Sequence, residues 1–149
     1  MAVKHAKTSG KTNPADPTIV GGQDWDAAHT TEGAVELLID GGGIAITTGI
    51  KADVVLPFAG TITGATLLAD QSGSIVLDLW KDTYANFPPT VADTITSSAK
   101  PTLATALKST DTTLTGWTKT FAKGDVLRVK VDSVATVTRV LLSLAVTEG

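Results

Sequence analysis

A chain of 149 residues with a formal charge of −3 and no cysteine has the size of one ordinary domain that folds on a hydrophobic core without disulfides. Without thiols, neither a disulfide framework nor cysteine-based metal or redox chemistry is available to it. No apolar run approaches the roughly 20 residues of a helical bilayer span, and the basic N-terminal residues lack the apolar stretch of a secretory signal. The expectation is a chain made without an export signal and without a membrane partner.

Composition leans towards strands. Threonine occurs 25 times, glutamate three times and methionine once, and β-branched side chains lose χ1 freedom in a helix but fit a pleated surface. Charge is unevenly placed: residues 1–11 hold Lys4, Lys7 and Lys11 with no acid, while the remainder has 9 basic and 15 acidic side chains, or −6. Three lysines ahead of an acidic body do not make the broad basic face that nucleic acid requires.

Residues 1–33 read as an extended N-terminal arm, polar and without apolar periodicity. Trp25 and His29 stand out in it. So large a ring in a polar arm is expected to dock, on its own domain or on a neighbouring subunit, so that Trp25, His29, Lys4, Lys7 and Lys11 form the candidate docking set. The body, residues 34–149, opens with a strand at 34–39 that the run Asp40-Gly41-Gly42-Gly43 stops. Further strands are expected at 44–48 and 50–57, the second ending near Pro57. In residues 60–69, Ile62, Gly64, Thr66 and Leu68 alternate with Thr63, Ala65, Leu67 and Ala69, and Asp70-Gln71-Ser72-Gly73 reads as a turn.

Residues 74–82 carry the cleanest period of two, with Ile75, Leu77 and Leu79 on one face and Val76, Asp78 and Trp80 on the other. Residues 83–110 contain three prolines and no sustained period, with one helical turn expected near 90–95 and a short strand near 102–107. Excursions of that length inside a domain are functional or lean on a partner. Short strands are expected at 112–117 and 118–121. A turn at Lys123-Gly124-Asp125 leads into 126–131, where Arg128 and Lys130 face water, and the last strand is 136–147 with Val140, Leu142, Leu144 and Val146 inward. Eight to ten short strands and no amphipathic helix point to an all-β fold, a two-sheet antiparallel β-sandwich of jelly-roll-like topology.

Catalytic chemistry has little to stand on. His5 and His29, the two histidines, lie in the arm, so the body offers no imidazole base for a nucleophile. Paired carboxylates for glycoside hydrolysis would come from Asp78 with Asp82 or Asp93. The plainer reading is that Asp78 is a solvated or hydrogen-bonded strand residue and that Asp70, Asp111, Asp125 and Asp132 form turns. No EF-hand spacing is present for calcium, and the Gly41–Gly43 run lacks the Lys-Ser/Thr and the helix of a phosphate loop. No metal or cofactor is expected. Tyr84, Phe87 and Trp117 are candidate platforms for sugar rings or, more plainly, core and interface aromatics. Trp80 faces away from the aliphatic side of its strand, where a second layer or subunit would sit.

The segment LPFAGTITGATLLADQSGSIVLDLWKDTYANFPPT, followed by LTGW, KGDVLRVKVDS and TRVLLSLAV, resembles a β-rich domain of tailed-bacteriophage virion proteins, among them tail fibre and minor structural proteins. The preceding DPTIVGGQDWDAAHT is similar to the Asp-Trp-Asn-x-x-His lead-in of those proteins, with Asp26 where asparagine is expected. The resemblance spans nearly the whole chain. It implies a non-enzymatic structural module of the virion, made in the host cytoplasm, whose partners are other copies of itself, as a homotrimer, and the major capsid or tail proteins. A short, single-domain chain with an arm and no shaft fits capsid decoration, or cement, better than a fibre. The alternative expectation is a tail- or head-fibre receptor-binding module contacting host-surface glycan through Trp80, Tyr84, Phe87 and Trp117.

Overall fold

The computed structural model describes residues 31–149. Among them the chain is all-β: β1 (Glu32–Asp40), β2 (Gly49–Val55), β3 (Gly60–Asp82), β4 (Thr102–Asp111), β5 (Thr120–Phe121), β6 (Val126–Ala135) and β7 (Arg139–Glu148), with single 3-10 turns at Tyr84–Asn86 and Val91–Asp93. All seven strands join one antiparallel sheet in the order β1-β7-β3-β6-β2, with β4 and β5 also paired to β3.

β3 is the spine. Its 23 residues pair with β7 from Gly60 to Ala69 and with β6 from Ser74 to Asp82. The segment 126–148 therefore follows β3 from end to end, and β1 and β2 follow that segment in turn along β7 and β6. On the opposite side of β3, β4 pairs with both halves. The result is four long antiparallel runs crossed by one fold line, across which the sheet curls so that both halves feed a single core.

Each run solves the fold line differently. The first breaks at Asp40–Gly43, where the Gly42 N–H donates to Asp40 Oδ1 at 2.7 Å and Gly42 and Gly43 take φ of 69° and 87°, values that cost glycine little. The second breaks at residues 136–138, where Gly41 N–H and Ile46 N–H donate to the carbonyls of Thr138 and Val137. β4 crosses with Thr105 at φ 51°, its N–H held by Ser74 Oγ at 3.0 Å. β3 passes through unbroken. The turn expected at 70–73 is absent because Asp70 accepts from the Thr138 hydroxyl and the Arg139 N–H, and Gln71 donates to the Thr136 carbonyl, so the neighbouring run keeps these residues extended.

The core draws Val35, Leu37 and Ile39 from β1, Ile75, Leu77 and Leu79 from β3, Leu127, Val129 and Val131 from β6, and Val140, Leu142, Leu144 and Val146 from β7. Burying each such side chain stabilises the fold by about 1.5–3 kcal/mol. In residues 60–69 the expected alternation fails at one point: the register shifts between Ile62 and Gly64, which turns Ile62 onto the core face beside Ala65 and Leu67. Residues 44–48 and 112–119 form no strand. Ile46 and Leu114 are buried there at 4% and 1% exposure, so their apolar character serves the core through irregular chain.

Gly73 sits where the fold line is tightest: a Cβ there would lie 2.5 Å from Thr136 Oγ1, 2.6 Å from Val137 Cγ2 and 2.8 Å from the Ala135 carbonyl oxygen. Gly73→Ala is expected to lower stability by about 1–3 kcal/mol, read by urea unfolding. Gly33→Ala, whose Cβ would meet only Val146 Cγ2 at 3.9 Å, is expected to stay within about 0.5 kcal/mol of the parent.

Candidate functional site

The 83–101 segment is a strap over the outer face and edge of the second half-sheet. Leu77 N–H donates to the Pro101 carbonyl and Ile95 N–H to the Leu79 carbonyl, while Thr94 bridges Trp80, so the strap takes the place beside β3 that β4 leaves. Further out, Thr118 N–H donates to the Ile95 carbonyl. The expected helical turn is the 3-10 turn Val91–Asp93, closed by a capping box between Thr90 and Asp93.

A polar network fastens the strap. Asp78 is 2% exposed and accepts from Thr94 Oγ1 at 2.7 Å, Thr96 Oγ1 at 2.9 Å and Lys100 Nζ at 3.0 Å. Lys100 continues to Asp132 at 2.6 Å, and Lys130 meets the other oxygen of Asp132 at 2.5 Å. Asp132 lies on this face by the same alternation that places Arg128 and Lys130 there, at the point where β6 shifts register against β3. Burial pushes the Asp78 carboxyl up, but the hydroxyls of Thr94 and Thr96 and the Lys100 ammonium outweigh it, and the carboxyl is held at about 2. The Trp80 indole N–H lies towards this carboxylate without reaching hydrogen-bond geometry. Asp132 and Asp78 in turn raise Lys100 above the ordinary lysine value.

A second set of contacts lies beside it. Arg128 forks onto Asp53 at 2.7 and 2.9 Å and donates to the Pro89 carbonyl at 3.3 Å. Its guanidinium stands 5.3 Å from the Phe87 ring centre, and Lys130 stands 5.8 Å from the Trp80 ring centre, both within cation–π range. The face expected to be wet is therefore largely roofed by the strap.

The four aromatics proposed for partner or glycan contact separate. Trp80 and Trp117 are both 8% exposed, and the Trp117 indole N–H donates to the Ala99 carbonyl at 2.7 Å; both are strap-anchoring residues with little ring face to offer. Tyr84 and Phe87, at 74% and 50% exposure, sit on the strap's outer surface. Trp25, His29, Lys4, Lys7 and Lys11 lie outside the described residues. The carboxylates considered for acid/base work are each engaged: Asp78 in the network, Asp82 with the Thr83 N–H and Asn86, Asp93 with Thr90. A carboxyl held near 2 is the reverse of the raised pKa a general acid needs. Among the described residues no group of three or more His, Cys, Asp or Glu could hold a metal ion.

Asp78 is the acid singled out in the sequence, but its partners Thr94, Thr96 and Lys100 come from the strap, and Asp132, the second partner of Lys100, comes from β6. A buried acid in a strand next to a Thr-rich, Lys-bearing excursion is the available signal. Comparison with protein-family models, curated proteins and solved structures gives no match.

Asp78→Ala strands Thr94 and Thr96 and leaves Lys100 with Asp132 alone; the expected loss is about 3 kcal/mol in chemical unfolding. Because the folded pKa of Asp78 lies below the ordinary 3.8, its stabilisation, about 2 kcal/mol, is complete above pH 4 and is lost as pH falls through about 2. Asp78→Asn is expected to flatten that acid limb of the stability profile.

Proposed function

We propose that this chain is a non-enzymatic structural protein of a tailed-bacteriophage virion, with capsid decoration as its role. The carrying observation is an asymmetry in the sheet: the strap covers the outer face of one half, while no described segment covers the outer face of the other half, where Leu38 is 61% and Leu68 47% exposed. Contiguous apolar surface of this kind is a contact surface. The segments that carry the resemblance to virion proteins span β3, the strap, β6 and β7, which frame the sheet. In this reading the protein docks on the particle through its N-terminal arm, associates with copies of itself as a trimer, and contacts the major capsid or tail proteins. It resides in the virion after synthesis in the host cytoplasm and uses no cofactor. Deleting residues 1–30 is expected to lower its occupancy on purified particles at least about tenfold, measured by quantitative gel or mass spectrometry; full occupancy by the truncated chain would refute arm docking.

A second reading, a receptor-binding module for host-surface glycan, draws on Tyr84 and Phe87, whose exposed rings lie three residues apart on the strap. On a glycan array of the whole chain, this reading expects a hit that Tyr84→Ala removes. A blank array leaves decoration as the reading of choice.

A further inference from the structure

Four strands pair on one side only, and apart from the two-residue β5 they are unequally guarded. β2 bulges at Lys51, between Ile50 and Ala52. β4 shifts register twice against β3 and holds Thr105 at φ 51°. Bulges, lysines and local twists keep an edge from recruiting another strand. β1 has none of them: its nine residues, EGAVELLID, pair with β7 in unbroken register, and it ends the strand order. Beyond it no strand is paired among the described residues.

The side chains that β1 turns outward are Glu32, Ala34, Glu36, Leu38 and Asp40, opposite the inward Val35, Leu37 and Ile39. Its three carboxylates make no ion pair with a described residue; Glu36 accepts from Ser143 Oγ at 2.9 Å and Asp40 from the Gly42 N–H. Next to this edge, register carries Leu38, Leu141 and Leu68 into one row across β1, β7 and β3, ending at Lys108 of β4. A shallow groove between Leu68, Thr66 and the 108–110 segment continues the row.

We propose that the β1 edge and the leucine row beside it receive a second copy of this chain, whose Lys7 and Lys11 lie against the β1 carboxylates. The charges select the segment: residues 1–11 carry three lysines and no acid. Lys7 and Lys11 are four residues apart, the spacing of Glu32, Glu36 and Asp40, and along an extended chain such residues project to the same side. Opposite charges facing across strands stabilise the pair and like charges destabilise it. A second β1 at this edge would bring two sets of three carboxylates onto one face, so charge favours the basic segment over self-pairing. Residues 1–11 have only Met1 and Val3 as larger apolar side chains, too few to cover the leucine row; the body of a neighbouring copy supplies that cover. Handing the segment from each copy to the next is a head-to-tail contact, which closes into a ring when the rotation allows. The inference deepens the assembly reading and rests on it.

Sedimentation velocity of the full chain, over about 1–100 μM and at two salt concentrations, tests it. The parent is expected to self-associate, more weakly at high salt. Lys7→Glu/Lys11→Glu and Glu32→Lys/Glu36→Lys are each expected to weaken association about a hundredfold. The fourfold variant, with both sets reversed, is expected to restore it, and an equimolar mixture of the two double variants to restore it in part, since opposite charges meet in two of the three arm-to-edge contacts of a mixed trimer. Unchanged thermal unfolding of each variant excludes misfolding as the cause. A parent that stays monomeric at 100 μM, association indifferent to the reversals, or failure of both the fourfold variant and the mixture to restore it overturns the contact. A monomeric parent in which the arm reversal speeds hydrogen exchange of the β1 amides assigns the edge to the chain's own arm and also overturns it. Particle occupancy is a separate readout: binding to particles by a monomeric chain refutes this contact and leaves the decoration reading standing.

Discussion

The fold depends on β3 staying extended through a line where every neighbouring run must break or bend. Twenty-three residues in one strand are far more than the five or six that are usual, and a strand of that length in a small domain has to curl. Here the curl is stabilised at its tightest point by the polar contacts of Asp70 and Gln71 with 136–139 and by the missing side chain at Gly73. From that follow the single core and the two outer faces of different character.

Of the side chains that the second half turns away from the core, Asp78, Trp80, Arg128 and Lys130, only Trp80 gains from being covered. An ionised carboxylate under a roof is costly unless it is fully engaged. The strap supplies Thr94, Thr96 and Lys100 to Asp78 and stacks Phe87 on Arg128. The same segment thus covers the sheet and satisfies the charges that its covering buries. The first half has no such segment among the described residues, and its outer rows, Glu36 with Ser143 and Thr66 with Thr110 at 2.9 Å each, are tied among themselves.

Much of this was legible in the sequence. The period of two in 74–82, 126–131 and 136–147 gave strands with the correct inward residues, although the last begins only at Arg139 because 136–138 form the break, and the glycines after Asp40 gave the other break. What misled was local chemistry overridden by pairing. Asp70-Gln71-Ser72-Gly73 has every mark of a turn, yet its polar side chains bond across to 136–139 in place of bonding locally. Ile44–Thr48 has strand composition, but Gly41 and Ile46 give their N–H groups to the 137–138 carbonyls, which rules out a regular ladder there. The roles of Trp80 and Trp117 were illegible for a related reason: an aromatic residue in a strand or loop says that it will be covered, and only the path of the strap says by what.

The register of β1 bears on how the chain can acquire this structure. Glu32 pairs with Thr147 and Asp40 with Arg139, so the first described strand has as its ladder partner the last described one, made after all the others. At about 5–20 residues per second on the ribosome, β1 waits for several seconds with Val35, Leu37 and Ile39 uncovered, and no local hairpin can shelter it. Pairings so distant in sequence make for slow folding and exposed intermediates. The acidic residues at every fourth position of β1 place like charges opposite one another whenever two such waiting strands meet, which disfavours pairing of β1 with a second β1.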